Sequence, residues 1–499
     1  MAKQKKRRGP SKSGPPPRPK ISKLHLSLPP WLWDTIALIG LLGGVIVFFW
    51  AILSQQAFLW EDIPKQWYPM ASYTASELLA GRFPFWNPYI FGGIPFFAMI
   101  DVGVLYPLNW LFIYFVDNMI LSYIVVEFHL IAHVYLIGVS VYVFGRNISL
   151  SYGGAFIAGL IYMLCGVTVH HVFHPGIIFP LAWFPLVFMM FMKAVERLSF
   201  PLAIATGGLL GILILSGHPQ VFVYVSYTLG LYSLFCMTEQ FRENGFNVSL
   251  IRLATVSTVV IITGVCLAAV NLLPLFDLIN HTLRPNVTYE IATTYARHPQ
   301  ELITLLMPDF YGRAEPSNWD YWGPGRSEYG HFWETNSYFG ILPLVFVCVS
   351  FTLKRTRLTF FMGILAILTC LLSLGDATPI FRVAYEAIPG FDRFRSPGRL
   401  NILSGFAVAI LSGISIDALC RLSYAKRVHL IRIVKVTCGL FVFAVIIYIA
   451  AEEPITVWLS GGTALQDRAK EAMATQVGPF TFLLLLSIVF LFACSYHKI

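Results

Sequence analysis

The stretch that decides the fold is Trp60–Trp110, WEDIPKQWYPMASYTASELLAGRFPFWNPYIFGGIPFFAMIDVGVLYPLNW. It follows the first long apolar segment and is rich in Trp, Tyr, Phe, Pro and Gly. An acidic pair, Glu61 and Asp62, stands where the chain would leave a membrane. Because proline stiffens the backbone and glycine allows it to approach other groups closely, the stretch predicts a loop of fixed shape that binds something.

The composition is that of a membrane protein. Hydrophobic residues make up 57% of the chain and charged residues 12%, with a mean hydropathy of +0.68. Soluble domains carry about a quarter charged residues, whereas here apolar stretches of about twenty residues recur throughout. We predict an all-α polytopic membrane protein with about twelve transmembrane helices. The predicted spans are 33–53, 119–144, 152–173, 177–192, 201–216, 220–237, 253–276, 337–353, 359–375, 400–419, 433–451 and 478–496.

The basic charges predict the topology. The formal net charge is +9, but many Lys and Arg residues lie in the Pro-rich segment 1–30, which predicts a disordered cytoplasmic tail. With that tail inside, roughly two thirds of the 35 Lys and Arg residues fall on the cytoplasmic side. An even number of spans also places the C-terminus in the cytoplasm. The charge therefore indicates topology and anionic-lipid contact, not nucleic-acid binding.

The topology divides the chain into a transmembrane core, 31–420, and a C-terminal transmembrane hairpin, 421–499. Three long segments of the core are predicted to face outward: 54–118, 277–336 and 376–399. Any chemistry is therefore expected at the outer face. The eight cysteines lie in or beside apolar segments without metal-ligand spacing, and no Walker A sequence is present, so zinc binding and ATP-driven transport are not indicated.

Three outer acids are candidates for chemistry. Glu61 and Asp62 can hold a divalent cation or take a proton from a hydroxyl, although two adjacent acids also occur at an ordinary solvated helix end. Asp101 lies between apolar stretches near the membrane surface. It suits a metal, an acceptor or a structural hydrogen bond.

Two further outer segments offer hydrogen-bond donors. His218 and Gln220 lie in the turn Ser216–Gln220, where a tight hairpin explains the Gly and Pro but not the His or Gln. The second segment, Asp392–Arg399, carries Arg393, Arg395 and Arg399 on the side where basic residues are unusual. Arginine binds phosphate bidentately, and headgroup snorkelling is the alternative. The pair Arg297-His298 adds further charge in the second outer loop.

Two sets of histidines leave their roles open. His170, His171 and His174 at the outer end of the third span are possible metal ligands without nearby acids. Within the second span lie Glu127, His129 and His133. Polar groups inside a membrane are costly and are usually functional or paired, so these suit either proton-coupled transport or a buried hydrogen-bond network.

Four motifs resemble a known family. They are GRFPFWNPYIFGGIPFFA at 81–98, GVLYPLNWLF at 103–112, GHPQVFVY at 217–224 and FRSPGRLNIL at 394–403. In order and predicted outer placement they are similar to those of the YfhO-type bacterial membrane proteins of the GT-C glycosyltransferase superfamily. The resemblance covers about residues 33–420. It implies a GT-C-like transmembrane fold with a large structured first outer loop, in the bacterial cytoplasmic (inner) membrane.

The resemblance also implies an activity. Such enzymes move a sugar, with inversion, from a polyprenyl-phosphate donor to an extracytoplasmic glycan, lipid or protein of the cell envelope. Their key acid lies in the first outer loop, which makes Asp62 the expected base or metal contact and Glu61 its assistant. The expected phosphate-binding residues are Arg393, Arg395, Arg399 and His218. The expected substrate-binding residues are Trp67, Trp86, Asn87, Tyr89, Asp101 and Gln220.

Some questions stay open at this point. The chain has no Asp-x-Asp at the acidic position, so a divalent cation such as Mg²⁺ or Mn²⁺ is an open expectation. The main alternative function is a transporter or flippase for a lipid-linked saccharide. A non-catalytic assembly protein that kept the fold is a further alternative.

Overall fold

The computed structural model describes residues 29–118, 120–282, 287–313, 320–325, 331–422 and 424–496. Within these ranges the chain is helical apart from turns and one short antiparallel hairpin, β1 (Val116–Asp117) with β2 (Ile120–Leu121). Nearly all of the predicted tail, 1–30, lies outside the described residues.

The helices follow the predicted order. In the first half they are α1 (Pro30–Phe48), α2 (Trp50–Leu53), α3 (Tyr68–Leu79), α4 (Tyr123–Asn147), α5 (Tyr152–Leu164), α6 (Gly166–His170), α7 (Pro175–Glu196), α8 (Phe200–Leu215), α9 (Pro219–Asn244) and α10 (Val248–Asn280). In the second half they are α11 (Tyr289–Ala292), α12 (His331–Thr335), α13 (Ile341–Leu353), α14 (Arg357–Ser373), α15 (Pro379–Ala387), α16 (Asn401–Cys420), α17 (Tyr424–Ala450), α18 (Glu452–Ser460) and α19 (Gln466–Tyr496).

Eight helical stretches in the described residues are long and apolar enough to cross a membrane. They correspond to α1, α4, α5 with α6, α7, α9, α10, α16 with its preceding turn, and α19 with its preceding turn. Three shorter apolar helices, α8, α13 and α14, coincide with three further predicted spans, and the remaining predicted span, 433–451, falls within α17. The chain is an all-α polytopic membrane protein, as its composition predicted.

Helix α16 forms the centre of the bundle and is buried along nearly its whole length. Its sequence, NILSGFAVAILSGISIDALC, alternates small and branched residues, and small residues let helix backbones approach closely. A side chain at Gly154 of α5 would come within 2.8 Å of the Gly413 carbonyl oxygen, so the two backbones touch. This packing fixes α16 against α5, and the arginine-rich segment leads into the opposite end of α16.

Polar side chains inside the membrane helices hold the first outer loop. The His133 Nε2 atom lies 2.8 Å from the hydroxyl of Tyr106, which also accepts a hydrogen bond of 2.9 Å from the Trp183 indole. The His129 Nε2 atom lies 3.1 Å from the Asn109 side-chain oxygen. Of the two roles left open for these histidines, the structure contains the buried hydrogen-bond network. It connects α4 and α7 to the 3₁₀ segment Pro107–Phe115 near the end of the loop.

Glu127 anchors the start of the same loop. Its carboxylate accepts a hydrogen bond of 2.6 Å from the Leu59 backbone N–H, and the hydroxyl of Tyr123 donates to the Leu59 carbonyl oxygen. Both backbone groups of Leu59 are therefore satisfied by α4. Because Leu59 is two residues before Glu61, this anchor fixes where the acidic pair begins.

The substitution Tyr106→Phe tests the network that holds the loop. It removes only the hydroxyl and leaves the His133 and Trp183 nitrogens buried without this partner, so we expect a loss of about 1–3 kcal/mol of stability. Thermal unfolding in detergent measures the effect. Tyr114→Phe is the matched control, since Tyr114 is 83% exposed in the same segment and its change is expected to stay within about 0.5 kcal/mol. Equal effects of the two substitutions would contradict the structural role of the network.

Candidate functional site

The described residues form a polar cavity of about 310 Å³ at the ends of the helices that the topology places outside. It is lined by Glu61, Asp62, Gln66, Trp67, Asp101, His174, Pro175, Gly176, Ile177, His218, Tyr295, Trp333, Glu334, Arg395 and Arg399. Each predicted long outer loop contributes to this wall, as do two short outer turns. Residues separated by more than three hundred positions in sequence therefore meet at one site.

The backbone is strained where the acidic pair enters the cavity. Glu61 has a φ of 65°, a conformation that non-glycine residues rarely adopt and that costs on the order of 1 kcal/mol or more. Its carboxylate is 6% exposed and forms an ion pair of 3.1 Å with Lys65. The turn that follows, Ile63–Trp67, is π-helical and runs directly into α3. Strained residues and π turns both concentrate at functional sites.

Asp62 is the acid with the more suitable environment for proton transfer. Its side chain is 45% exposed, and its Oδ2 lies 3.5 Å from the His174 Nε2 atom. Burial and the charge of Glu61 raise the pKa of Asp62, whereas Lys65 and Arg399 partly oppose that rise. A carboxylate that is accessible and less acidic than usual is suited to accept a proton.

Arg399 is committed to an ion pair in the cavity wall. Its guanidinium donates to both carboxylate oxygens of Glu334, at 2.6 and 2.5 Å, and to the Gln220 side-chain oxygen at 2.9 Å. Burial opposes ionisation of Glu334, but the paired arginine outweighs it and lowers the pKa of Glu334 to about 2. The pair therefore stays ionised at neutral pH and joins the second outer loop to the start of α16.

Arg395 has a different environment from Arg399. Its guanidinium lies over the ring of Tyr295, 5.5 Å from the ring centroid. Among the residues that the structure describes, no carboxylate lies within ion-pair distance of it. The next residue, Ser396, has a φ of 63° and donates its backbone N–H to the Thr294 carbonyl oxygen at 3.0 Å. Arg395 therefore lies on a fixed backbone and is the cavity arginine suited to an incoming anion.

His218 lies where two helices begin at the cavity. Its backbone N–H donates to the Gly176 carbonyl oxygen at 2.8 Å, which joins the start of α9 to the start of α7. Its Nδ1 atom accepts from the Gln220 backbone N–H at 3.1 Å, so a neutral His218 carries its proton on Nε2 as a donor. The positive ends of two helix dipoles meet here, which favours negative charge.

The cavity unites many of the predicted site residues. Those in its wall are Glu61, Asp62, Trp67, Asp101, His218, Arg395 and Arg399, with Gln220 directly behind Arg399. The ring of Trp67 is 5% exposed and packs edge-on against Phe112 and Phe179, so it is mainly a core residue.

Four predicted residues do not line this cavity. Arg393 is exposed beside Asp392, 3.6 Å from its carboxylate. Trp86 and Tyr89 are 54% and 81% exposed, and Trp86 covers Gly93. Asn87 is buried in an isolated antiparallel bridge with Ile94. Trp86, Asn87 and Tyr89 belong to the aromatic part of the first loop, which contacts Tyr73 of α3.

Eight residues of the wall were not predicted as part of this site, and five of them have polar or aromatic side chains: Gln66, His174, Tyr295, Trp333 and Glu334. Glu334 lies in the aromatic run HFWET, and an acid between aromatic residues in an outer loop was a signal that could have been used. The sequence indicated His174 only as a possible metal ligand. Arg297, expected to add charge, is instead buried and donates to the Thr335 carbonyl oxygen at 2.6 Å.

The described residues of the cavity show no grouped set of metal ligands. Throughout the described ranges, no three or more His, Cys, Asp or Glu side chains are grouped as metal ligands would be. In the cavity, Glu61 is paired with Lys65 and Glu334 with Arg399, so Asp62 and Asp101 are the carboxylates of the wall that lie outside these two ion pairs. The function proposed below therefore uses no metal-dependent step.

Comparison with solved structures gives distant similarities. No family model matches the chain, and no curated protein matches it. The structure of ArnT from Cupriavidus metallidurans bound to undecaprenyl phosphate is similar over 92% of this chain and 78% of that chain, with a TM-score of 0.42 and 15% sequence identity. A likeness at this level does not transfer a function, so the assignment depends on the site itself.

Breaking the buried ion pair tests whether it holds the cavity together. Glu334→Gln and Arg399→Met each leave one charge buried without its partner, so each is expected to cost about 3–5 kcal/mol. The double substitution removes both charges and should cost less than the sum of the single changes. Apparent melting temperatures in detergent give the comparison.

Arg382→Ala is the control for this experiment. Arg382 and Glu386 form an ion pair of 2.9 Å with both side chains more than half exposed, and its loss should cost less than about 1 kcal/mol. Additive effects in the double variant, or a loss of stability in Arg382→Ala as large as that in Arg399→Met, would contradict the role of the Arg399–Glu334 ion pair in holding the cavity together.

Proposed function

We propose that this chain is a membrane glycosyltransferase of the GT-C type that transfers a sugar from a polyprenyl-phosphate donor to an acceptor of the bacterial cell envelope. The observation that carries the proposal is the composition of one cavity wall. It holds a carboxylate with a raised pKa, Asp62, and an arginine without a carboxylate partner among the described residues, Arg395. Such a transfer requires a base and an anion site at the extracytoplasmic face of the membrane.

The reaction assigns a role to each group. Asp62 removes the proton of the acceptor hydroxyl while the acceptor oxygen attacks the anomeric carbon of the sugar. The bond between that carbon and the phosphate oxygen breaks, and its electron pair stays on the phosphate. Arg395 and the Nε2–H of His218 stabilise the negative charge that develops there, and the starts of α7 and α9 add to the same field.

The size of the cavity suits the head of such a donor. About 310 Å³ is at the lower end of the range for small-molecule sites, roughly 300–1,000 Å³, and favours one sugar with its phosphate over a long saccharide. Asp101 and Gln66 add polar groups for sugar hydroxyls. The acceptor then approaches from the aqueous side, where Asp62 is partly exposed.

An apolar cavity nearby suits the lipid part of the donor. It measures about 340 Å³ and lies between α9, α14 and α16, with Tyr224 and Leu234 on α9 marking its length. The Tyr224 hydroxyl accepts from Gln220, 2.7 Å away, and Gln220 in turn bonds Arg399. The Gln220 side chain thus separates the apolar cavity from the polar one. The phosphate of a lipid donor can then reach the polar cavity while its isoprenoid chain stays among the membrane helices.

Asp62→Asn tests the base. We expect transfer to fall by at least about 100-fold, because the amide cannot take the acceptor proton, while binding of the donor lipid is retained. The measurement uses purified protein, a panel of radiolabelled polyprenyl-phosphate sugars and a membrane extract as acceptor, with and without chelator. Asp392→Asn, in an outer loop away from the cavity, should leave transfer unchanged.

Three outcomes of this assay would contradict parts of the proposal. Wild-type turnover by Asp62→Asn would remove Asp62 from the mechanism, and loss of transfer with chelator would overturn the metal-free assignment. Absence of transfer from any donor, with the lipids bound or flipped in liposomes, would favour the alternative function of a transporter or flippase.

Arg395→Ala tests the phosphate site. Loss of a charged hydrogen-bonding group is expected to weaken donor binding by about 10- to 100-fold, corresponding to about 1.5–3 kcal/mol. Arg393→Ala is the matched control, since Arg393 lies two residues away, has the same charge and is outside the cavity. Binding of a polyprenyl-phosphate sugar to both proteins gives the comparison, and equal donor affinities would argue against the assignment of Arg395.

A further inference from the structure

Two neighbouring histidines lie beside Asp62, His171 buried and His174 19% exposed. His171 and His174 occupy the short connection between α6 and α7, and their Nδ1 atoms are 3.0 Å apart. A hydrogen bond between two Nδ1 atoms requires that one of them carry a proton and the other accept it. When both rings are neutral, they are therefore in different tautomers, whichever ring is the donor.

The other edge of His174 faces the carboxylate. Its Nε2 atom is 3.5 Å from the Asp62 Oδ2 atom, which is longer than a hydrogen bond of about 2.7–3.2 Å. Contacts between catalytic groups are often long before substrate binds and shorten in the complex. The chain of contacts thus runs from Asp62 through His174 to His171.

Burial favours the neutral form of both imidazoles at physiological pH. Burial lowers the pKa of His174 to about 4, and burial lowers the pKa of His171 well below its ordinary value. Each ring therefore carries one proton. If His174 were the Nδ1 donor, its bare Nε2 would face an ionised carboxylate, and the two lone pairs would repel. If His171 is the donor, His174 carries its proton on Nε2 and can donate it to Asp62.

We propose that His174 is a positioning residue for the Asp62 carboxylate and that His171 sets its tautomer through the bond between the two Nδ1 atoms. This inference rests on the proposed function, in which Asp62 is the base. His174 holds one carboxylate oxygen, which leaves the other directed at the acceptor hydroxyl. During transfer the acceptor proton moves to Asp62, and His174 keeps its own proton on Nε2.

The neighbouring His170 is not part of the contact between His171 and His174. Its Nδ1 atom is 2.7 Å from the Gly166 carbonyl oxygen within α6, and its ring packs against Phe332. The three histidines therefore do not converge on one point, in agreement with the lack of a grouped ligand set among the residues described. His170 thus provides a control that is close in sequence but outside the contact chain.

The first test compares rates in the transfer assay. His174→Phe is expected to lower kcat by about 10- to 100-fold, as is typical when a group that orients a catalytic ligand is lost, while the donor KM stays within about threefold. His174→Gln, which can again place an N–H near the Nε2 position, should recover part of that loss. His171→Phe should lower kcat in the same direction, and His171→Asn should recover part. His170→Phe should leave kcat unchanged.

Double substitutions test whether the histidines act through Asp62. In an Asp62→Asn background, His174→Phe should cause no further loss of the residual rate, because the group that it positions is gone. The positioning role would be overturned if the rate losses of the two substitutions multiplied in the double variant. A donor KM that rises as much as kcat falls would overturn it as well. Full activity of His174→Phe in an otherwise active enzyme would overturn this inference and leave the proposed function intact.

A spectroscopic measurement keeps the inference testable without turnover. Solid-state ¹⁵N spectra of histidine-labelled protein, compared between wild type and the His171 and His174 variants, assign the proton on each ring. We expect His174 as the Nε2–H tautomer and His171 as the Nδ1–H tautomer in the wild type, with His174 losing its preference in His171→Phe. The reverse assignment, or protonation of both rings at pH 7, would overturn the inference independently of any activity.

Discussion

The ion pair between Arg399 and Glu334 is the interaction on which the site depends. Two opposite charges buried at the end of a helix bundle are stable only when their geometry is good and their remaining hydrogen-bonding groups have partners. Here the guanidinium of Arg399 donates to both oxygens of Glu334 and also to the side-chain oxygen of Gln220. The pair connects the second outer loop, the start of α16 and the start of α9. It also explains why two nearby arginines have different roles, since Arg399 is neutralised within the wall whereas Arg395 is directed at the cavity.

A second constraint acts on the first outer loop. A segment rich in aromatic residues and proline has no regular hydrogen-bond ladder of its own, so its backbone needs partners elsewhere. The membrane helices provide them through Glu127, through His133 with Tyr106, and through Asn271, whose amide donates to the Phe97 carbonyl oxygen at 2.7 Å. Polar groups that suggested a path through the membrane thus hold the loop in place, and with it the strained residue Glu61.

The sequence allowed the helices and part of the site to be predicted, for different reasons. Stretches of apolar residues identify helices directly, and local departures from expectation identified Asp62, His218 and Arg395. Glu334 has a local signal in the run HFWET, but its pairing with an arginine 65 residues later in the chain cannot be read from the sequence. Conversely, Trp86 and Tyr89 belong to a distinctive motif, but a motif does not tell which way a side chain points. Arg393 and Arg395 differ by two positions and face different surroundings.

The charges of the cavity bear on the order of events in the proposed reaction. Glu61 is balanced by Lys65 and Glu334 by Arg399, and the proposed reaction assigns the response to substrate to Asp62 as the base and Arg395 as the cation. A sugar linked to a lipid phosphate carries one negative charge, and the released phosphate gains another. The acceptor proton simultaneously neutralises Asp62. One negative charge therefore moves from Asp62 to the phosphate beside Arg395, and the net charge of the cavity is unchanged. Because a low-dielectric site penalises any uncompensated charge, proton removal and departure of the phosphate are expected to be coupled in one step.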